Sequence, residues 1–179
     1  MPGPEDWRYA AWRAAWEAKG KPYFVLRTIM QIFVLQGIII FLVVLPVVML
    51  IQQPITALSP FIYAGVIVWL VGFAFESVAD AQLDRFIRNV DNRGQLLRSG
   101  VFALSRHPNY FGEATMWWGI AIMALGLPYG WVGIVSPLVI TYVVHRISGP
   151  MLEEKMDSHP DFALYKEKTS YFIPLFPLR

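Results

Sequence analysis

The chain has 179 residues, 56% of them hydrophobic and only 16% charged, with a formal net charge of +2 at pH 7. So small a charge, without a basic run, excludes the electrostatic footprint of a nucleic-acid binder. The absence of cysteine excludes disulfides, and three histidines are too few for the ligand-rich sites of membrane di-iron oxygenases. No Asp, Glu, Lys or Arg occurs from Thr28 to Phe75 or from Ala114 to Val144. Since one span takes roughly 20 apolar residues, each run is long enough to cross a membrane twice. The expected class is an all-α integral membrane protein.

Residues 1–28 read as an interfacial segment. Pro4 suits a first helical position, Glu5 and Asp6 suit the positive end of the helix dipole, and Gly20 can end the helix. Trp7, Trp12 and Trp16, with Arg8 and Arg13, are headgroup-level residue types. From 29 to 179 the chain reads as one membrane domain of about four spans. The first is Met30 to Ile51, kinked at Pro46, and Gln52-Gln53-Pro54 and Ser59-Pro60 punctuate the loop that follows. The second starts at Phe61. Because the 15 residues to Phe75 rise only about 22 Å, the helix is expected to continue through Asp80, which puts Glu76, Asp80 and Asp84 on one face at spacing four. Like charges so placed repel, so cationic or ligand partners are expected, with Asp84 on the solvated part.

Gln82 to Ser105 is a polar loop carrying Arg85, Arg88, Arg93 and Arg98. The third span, 108–126, opens on Pro108, which costs no hydrogen bond in a first helical turn. Asn109, Glu113 and Trp117 then share one face. A carboxylate below the bilayer surface needs a partner, and Glu113 is the candidate, with Arg106 as the alternative that makes it ordinary anchoring. Leu127-Pro128-Tyr129-Gly130 is a tight reversal before the fourth span, 131–145, bent near Pro137. A polar tail with Glu153 and Glu154 follows, and the proline-rich end is expected at the interface.

Lys and Arg number five before the first span, five between the second and third, and five after the fourth, with none in the two short turns. The positive-inside rule then puts both termini and the arginine loop in the cytoplasm. No P-loop, dinucleotide fingerprint, nucleophile elbow or zinc-protease motif is present, and no metal ligand set is expected. What remains is a pocket facing the cytoplasm, made from the ends of spans two and three, the arginine loop and the tail. Arginines suit an anionic, phosphate-bearing ligand, and carboxylates with Asn suit ribose hydroxyls or an amide. A mouth between apolar spans suits a lipid-like substrate. His107 reads as a backbone or cofactor hydrogen-bonder rather than a general acid. Substrate and oligomeric state are not readable.

The run from Gly100 to Glu113, with its R-H-P-N-Y-F-G-E core, followed by Trp117-Trp118-Gly119, resembles the signature of the steroid 5-alpha-reductase family, and most of all its bacterial, uncharacterised branch. Ser148 to Glu154, Tyr165-Lys166, Thr169 to Pro174, Leu35-Gln36-Gly37 and Asp80 fit the same branch. The resemblance implies a membrane-embedded, NADPH-dependent reductase of a carbon–carbon double bond conjugated to a carbonyl in a sterol-like or other lipid, in a bacterial inner membrane. It implies that Asn109, Glu113 and Asp80 contact the cofactor, that Arg85, Arg98 and Arg106 meet phosphates, and that His107, Tyr110, Glu153, Glu154 and Tyr165 complete the pocket. Family members usually carry further helices upstream, which supply the polar groups of the catalytic step. Those have no counterpart here, so no catalytic residue is assigned, and a truncated, non-catalytic protein stays an alternative. Membrane isoprenylcysteine and phospholipid methyltransferases, which use S-adenosylmethionine, share the R-H-P-x-Y-x-G stretch and the Glu-Glu pair. Asn109, Glu113 and the Thr169 to Pro174 ending favour the reductase.

Overall fold

The computed structural model describes residues 7–52 and 59–176 and the side chains from residue 9 onward. The expectations for Pro4, Glu5 and Asp6, for the turn at Gln53-Pro54 and for Pro177 lie outside the described residues. The fold is helical, and the chain forms two units, Met1–Leu42 and Val43–Arg179.

In the first unit α1 spans Trp7–Glu17. Its aromatic residues pack on one another, Trp16 stacked on Trp12 at 6.2 Å and Tyr9 edge-on to Trp12 at 5.5 Å. Gly20 ends this segment with φ +97°, a left-handed conformation that glycine alone adopts freely. α2 (Lys21–Arg27) then begins, earlier than the span expected from Met30. It runs through a π-helical stretch, Thr28–Val34, into α3 (Leu35–Ile51). The reason is chemical: Lys21, Tyr23 and Arg27 are polar yet good first-turn and interface residues. Arg27 Nε donates to Tyr23 Oη at 3.1 Å.

The second unit is organised by α4 (Pro60–Arg88) and α5 (Pro108–Ala124), which pack antiparallel. Glycines face each other along the seam. A Cβ on Gly72 would lie 2.6 Å from Met116 N and 2.7 Å from Gly112 O, and one on Gly119 would lie 2.7 Å from Gly65 O. Only hydrogen at these positions lets the two backbones touch, the usual way helices associate where no hydrophobic effect separates side chains from lipid. At 29 residues α4 rises about 43 Å, more than the roughly 30 Å hydrocarbon layer, so its polar last third has room to emerge. Asn92 Nδ2 caps it by donating to Phe86 O at 3.0 Å.

The connecting loop folds back on α4 at Gln82, whose Oε1 accepts from Val101 N at 3.0 Å. A 3-10 turn, Gly100–Ala103, delivers the chain to His107, the cap of α5. After α5 the chain reverses at Tyr129, φ +60°. A helix then runs from Gly130 to Met156 through a 3-10 turn (Gly130–Ile134), α6 (Val135–Tyr142), a π-helical stretch (Val143–Ser148) and α7 (Gly149–Met156). Within this unit Ser136 Oγ donates to Val43 O at 2.6 Å. α8 (Phe162–Lys168) and an extended strap to Phe176 complete the described chain.

Among the described residues three helices are long and apolar enough to cross a membrane: Lys21–Ile51, Pro60–Arg88 and Gly130–Met156. Of the four expected spans the third is the shortest, because α5 has 17 residues and its apolar run stops at the Leu125–Gly130 reversal. The last of the three long helices runs past residue 145, where the fourth span was expected to end. The helix continues beyond His145, because Val143–Ser148 widens rather than breaks and Gly149-Pro150 suits the start of a new α turn. Glu153 and Glu154 therefore stand on helix and not in a tail.

Candidate functional site

The strap after α8 is tied to the segment before α5. Ser105 and Ser170 form a parallel bridge, Arg106 N donates to Ser170 O at 2.9 Å, and Leu175 N donates to Leu104 O at 2.9 Å. Fully buried Ser105 links the two by donating from Oγ to Phe172 O at 2.8 Å while accepting from His107 N at 3.1 Å. Short polar side chains bond readily to local backbone, and here that habit joins segments 67 residues apart.

Arg106 holds this junction. Its Nε donates to Glu153 Oε1 at 2.7 Å, and Nη1 donates to Lys166 O at 2.9 Å and Thr169 O at 3.0 Å. The guanidinium also lies over the Tyr171 ring at 5.2 Å. The rigid fork of five donors makes such a multiple clamp possible. Glu153 is shared, since His107 Nε2 lies 3.2 Å from the same Oε1.

His107 is 1% exposed. Burial holds its pKa below the usual histidine value, outweighing the attraction of Glu153. A carboxylate only accepts, so neutral His107 carries its proton on Nε2 and leaves Nδ1 as a bare acceptor. Nδ1 is buried and has no hydrogen-bond partner among the described residues. Tyr110 stacks on the imidazole at 5.4 Å, and Tyr171 meets it edge-on at 5.1 Å. Tyr171 Oη donates to His145 O at 2.7 Å, and Tyr165 Oη donates to Phe102 O at 2.6 Å. Burial raises the pKa of both phenols, so they act as donors and not as bases.

A second polar group lies where α5 begins against α4. Asn109 Nδ2 donates to Asp80 Oδ1 at 3.4 Å. Glu76, Asp80 and Glu113 are close enough to repel one another. Glu76 Oε2 is buried without a hydrogen-bond partner among the described residues. Like charges gathered at a helix seam, with an unused acceptor among them, call for a ligand that brings N–H or O–H donors.

The remaining predicted residues stand apart. Arg98 pairs with Asp161 at 3.2 Å. Arg85 and Glu154 are exposed and have no ion pair among the described residues. Arg88 and Asp84 form an exposed pair on α4 at 2.8 Å. His159 ties the loop, lying with Nε2 2.8 Å from Gly94 O. The structure thus brings Arg106, His107, Tyr110 and Glu153 together, and separately Asp80, Asn109 and Glu113. Reading the sequence did not assign Glu76 and Tyr171 to the site. The first was signalled by its spacing of four from Asp80, and the second by the Thr169 to Pro174 ending. Among the described residues no cluster of His, Cys, Asp and Glu is spaced to hold a metal ion. A cofactor offering ribose hydroxyls, a carboxamide or an ammonium group fits the acceptors at Glu76, Asp80 and Glu113. Arg106 has most of its donors spent inside the protein.

These features define an all-helical protein with helices suited to a membrane and a polar site at the α4–α5 seam. The chain belongs to the family described as "Protein of unknown function (DUF1295)", whose model matches residues 1–169. It is similar to the probable O-methyltransferase ustE of Ustilaginoidea virens, 33% identical over 75 residues, which is 42% of this chain and 26% of that protein. It is also similar to the steroid 5-alpha-reductase DET2 of Gossypium hirsutum, 36% identical over 70 residues, 39% of this chain and 26% of that protein. Each alignment thus spans about a quarter of the curated relative. No solved structure matches.

Proposed function

We propose that this protein is a membrane-embedded, NADPH-dependent oxidoreductase that reduces a conjugated carbon–carbon double bond in a sterol-like or other lipid. The observation that carries the proposal is the seam of α4 and α5, where Asn109, Asp80, Glu113 and Glu76 lie together and Glu76 Oε2 is a buried acceptor without a hydrogen-bond partner among the described residues. Similarity to a steroid 5-alpha-reductase supports it. When bound, NADPH supplies the hydride, which goes to the β carbon of the enone while a proton goes to the α carbon. Asp80 and Asn109 hold ribose or carboxamide at the α5 N-terminus. Glu76 and Glu113 offset the positive charge that hydride loss leaves on the ring. Arg85 and Arg98 take the phosphates, and the Arg106–Glu153–His107 cluster fixes the strap that closes the site, with Tyr110 stacked on His107 and Tyr165 tied to Phe102 O, while Glu154 stays exposed. No residue is assigned to the proton transfer.

In this proposal residues 1–28 lie at the interface, residues 29–179 form the membrane domain, and α5 acts as a short further crossing. Both termini and the arginine loop are in the cytoplasm of a bacterial cell whose inner membrane holds the protein. One observation favours a second reading. An acidic seam suits a cationic cofactor, and S-adenosylmethionine carries a sulfonium, an ammonium and no phosphate, in keeping with similarity to a probable O-methyltransferase. Incubation with NADPH and an enone lipid distinguishes them. Equimolar loss of NADPH and of the double bond is expected, and methyl transfer from S-adenosylmethionine without NADPH oxidation contradicts it.

A further inference from the structure

We propose that the cleft beneath the C-terminal strap binds the phosphate headgroup of an anionic membrane lipid. The cleft has a volume of about 310 Å³ and is lined by three cations, Arg106, Lys166 and Lys168, against one carboxylate, Glu167. Arg106 is paired with Glu153 and Lys166 with Asp157 at 2.7 Å, but Lys168 has no ion pair among the described residues. Lys168 is therefore the ammonium free to turn onto a phosphate, beside the last unspent N–H of Arg106.

The lip of the cleft is apolar, with Leu175 59% and Phe176 91% exposed. Two large apolar side chains beside a cluster of cations fit an amphiphile, whose acyl chains cover the first while its headgroup meets the second. Size points the same way. Pockets for whole drug-sized ligands begin near 300 Å³, so the cleft takes a headgroup and not a dinucleotide. In the second unit Lys and Arg fall within segments 85–106 and 146–168 and at 179, and none occurs in 43–84 or 107–145. The cleft thus lies among the basic segments, which the positive-inside rule sets against the anionic inner leaflet. No residue of α4 or α5 lines it, so lipid binding here is measured without reference to NADPH.

Titration of the detergent-purified protein with fluorescently labelled phosphatidylglycerol and phosphatidylcholine tests this, with inorganic phosphate as competitor. Lys168→Gln and Phe176→Ser alter exposed side chains, which leaves the fold intact. Phosphatidylglycerol is expected to bind at least about fivefold tighter than phosphatidylcholine. Lys168→Gln should remove about that factor for phosphatidylglycerol alone, and Phe176→Ser should weaken both lipids. Equal affinity for the two lipids, or unchanged phosphatidylglycerol affinity in Lys168→Gln, overturns the proposal. Displacement of the lipid by an equal concentration of inorganic phosphate also overturns it, by identifying a free-phosphate site.

Discussion

Arg106 and Glu153 form an ion pair of 2.7 Å across 47 residues of sequence, with side chains only 10% and 14% exposed. The pair joins the segment that starts α5 to the helix that ends the last long span. Because both charges are nearly buried, each depends on the other to offset its desolvation.

Glu153→Gln is therefore expected to destabilise the protein by about 3 kcal/mol, the cost of leaving a buried guanidinium without its counter-ion. Arg106→Lys should be nearly as harmful, since an ammonium cannot donate to Glu153, Lys166 O and Thr169 O together. Thermal unfolding in detergent measures this, and melting points equal to the wild type contradict it.

His107 makes stability depend on pH in a defined direction. Burial lowers its folded pKa below 6.5, so the unfolded chain takes up the proton more readily than the folded one. Its contribution is complete above the unfolded value near 6.5 and is lost as pH falls through the folded value. Arg106 and His145 also face the ring and oppose its protonation, while Glu153 favours it. Wild-type melting temperature should fall between pH 7.5 and pH 5.5, roughly the range either side of a histidine pKa, and fall less in His107→Gln. Parallel pH profiles for the two proteins contradict this.

The glycine seam predicts opposite outcomes for two similar substitutions. In Gly112→Ala the new methyl would lie 2.6 Å from Glu76 N, so the helices must separate, at a cost of about 1–3 kcal/mol. At Gly37 a Cβ meets nothing within 4 Å, and Gly37→Ala should stabilise the helix by about 0.5–1 kcal/mol. Unfolding midpoints of the two variants supply the comparison, and equal shifts would refute the close approach at the seam.

Much of this was legible in the sequence, for physical reasons that can be named. Pro108 fixed the start of α5, because proline is at home only in a first turn, and Gly20 fixed the end of the first segment. The spacing of Glu76, Asp80 and Asp84 showed that α4 outlasts its apolar run. Where the last span ends was not legible. A π-helical stretch over Val143–Ser148 has no composition signal, and it carries Glu153 onto a helix. The role of Arg106 as a clamp was hidden for a related reason. Three of its acceptors are the carboxylate of Glu153 and two backbone carbonyls about 60 residues away, and carbonyls leave no mark on a sequence.

The central claim, that the α4–α5 seam holds NADPH, is tested most directly by calorimetric titration of the purified protein with NADPH and with S-adenosylmethionine. NADPH is expected to bind at least about tenfold tighter, and Asn109→Ala or Glu113→Ala to weaken it about tenfold, the loss of one hydrogen bond involving a charged group. Tighter binding of S-adenosylmethionine, or NADPH affinity unchanged in both variants, would contradict it.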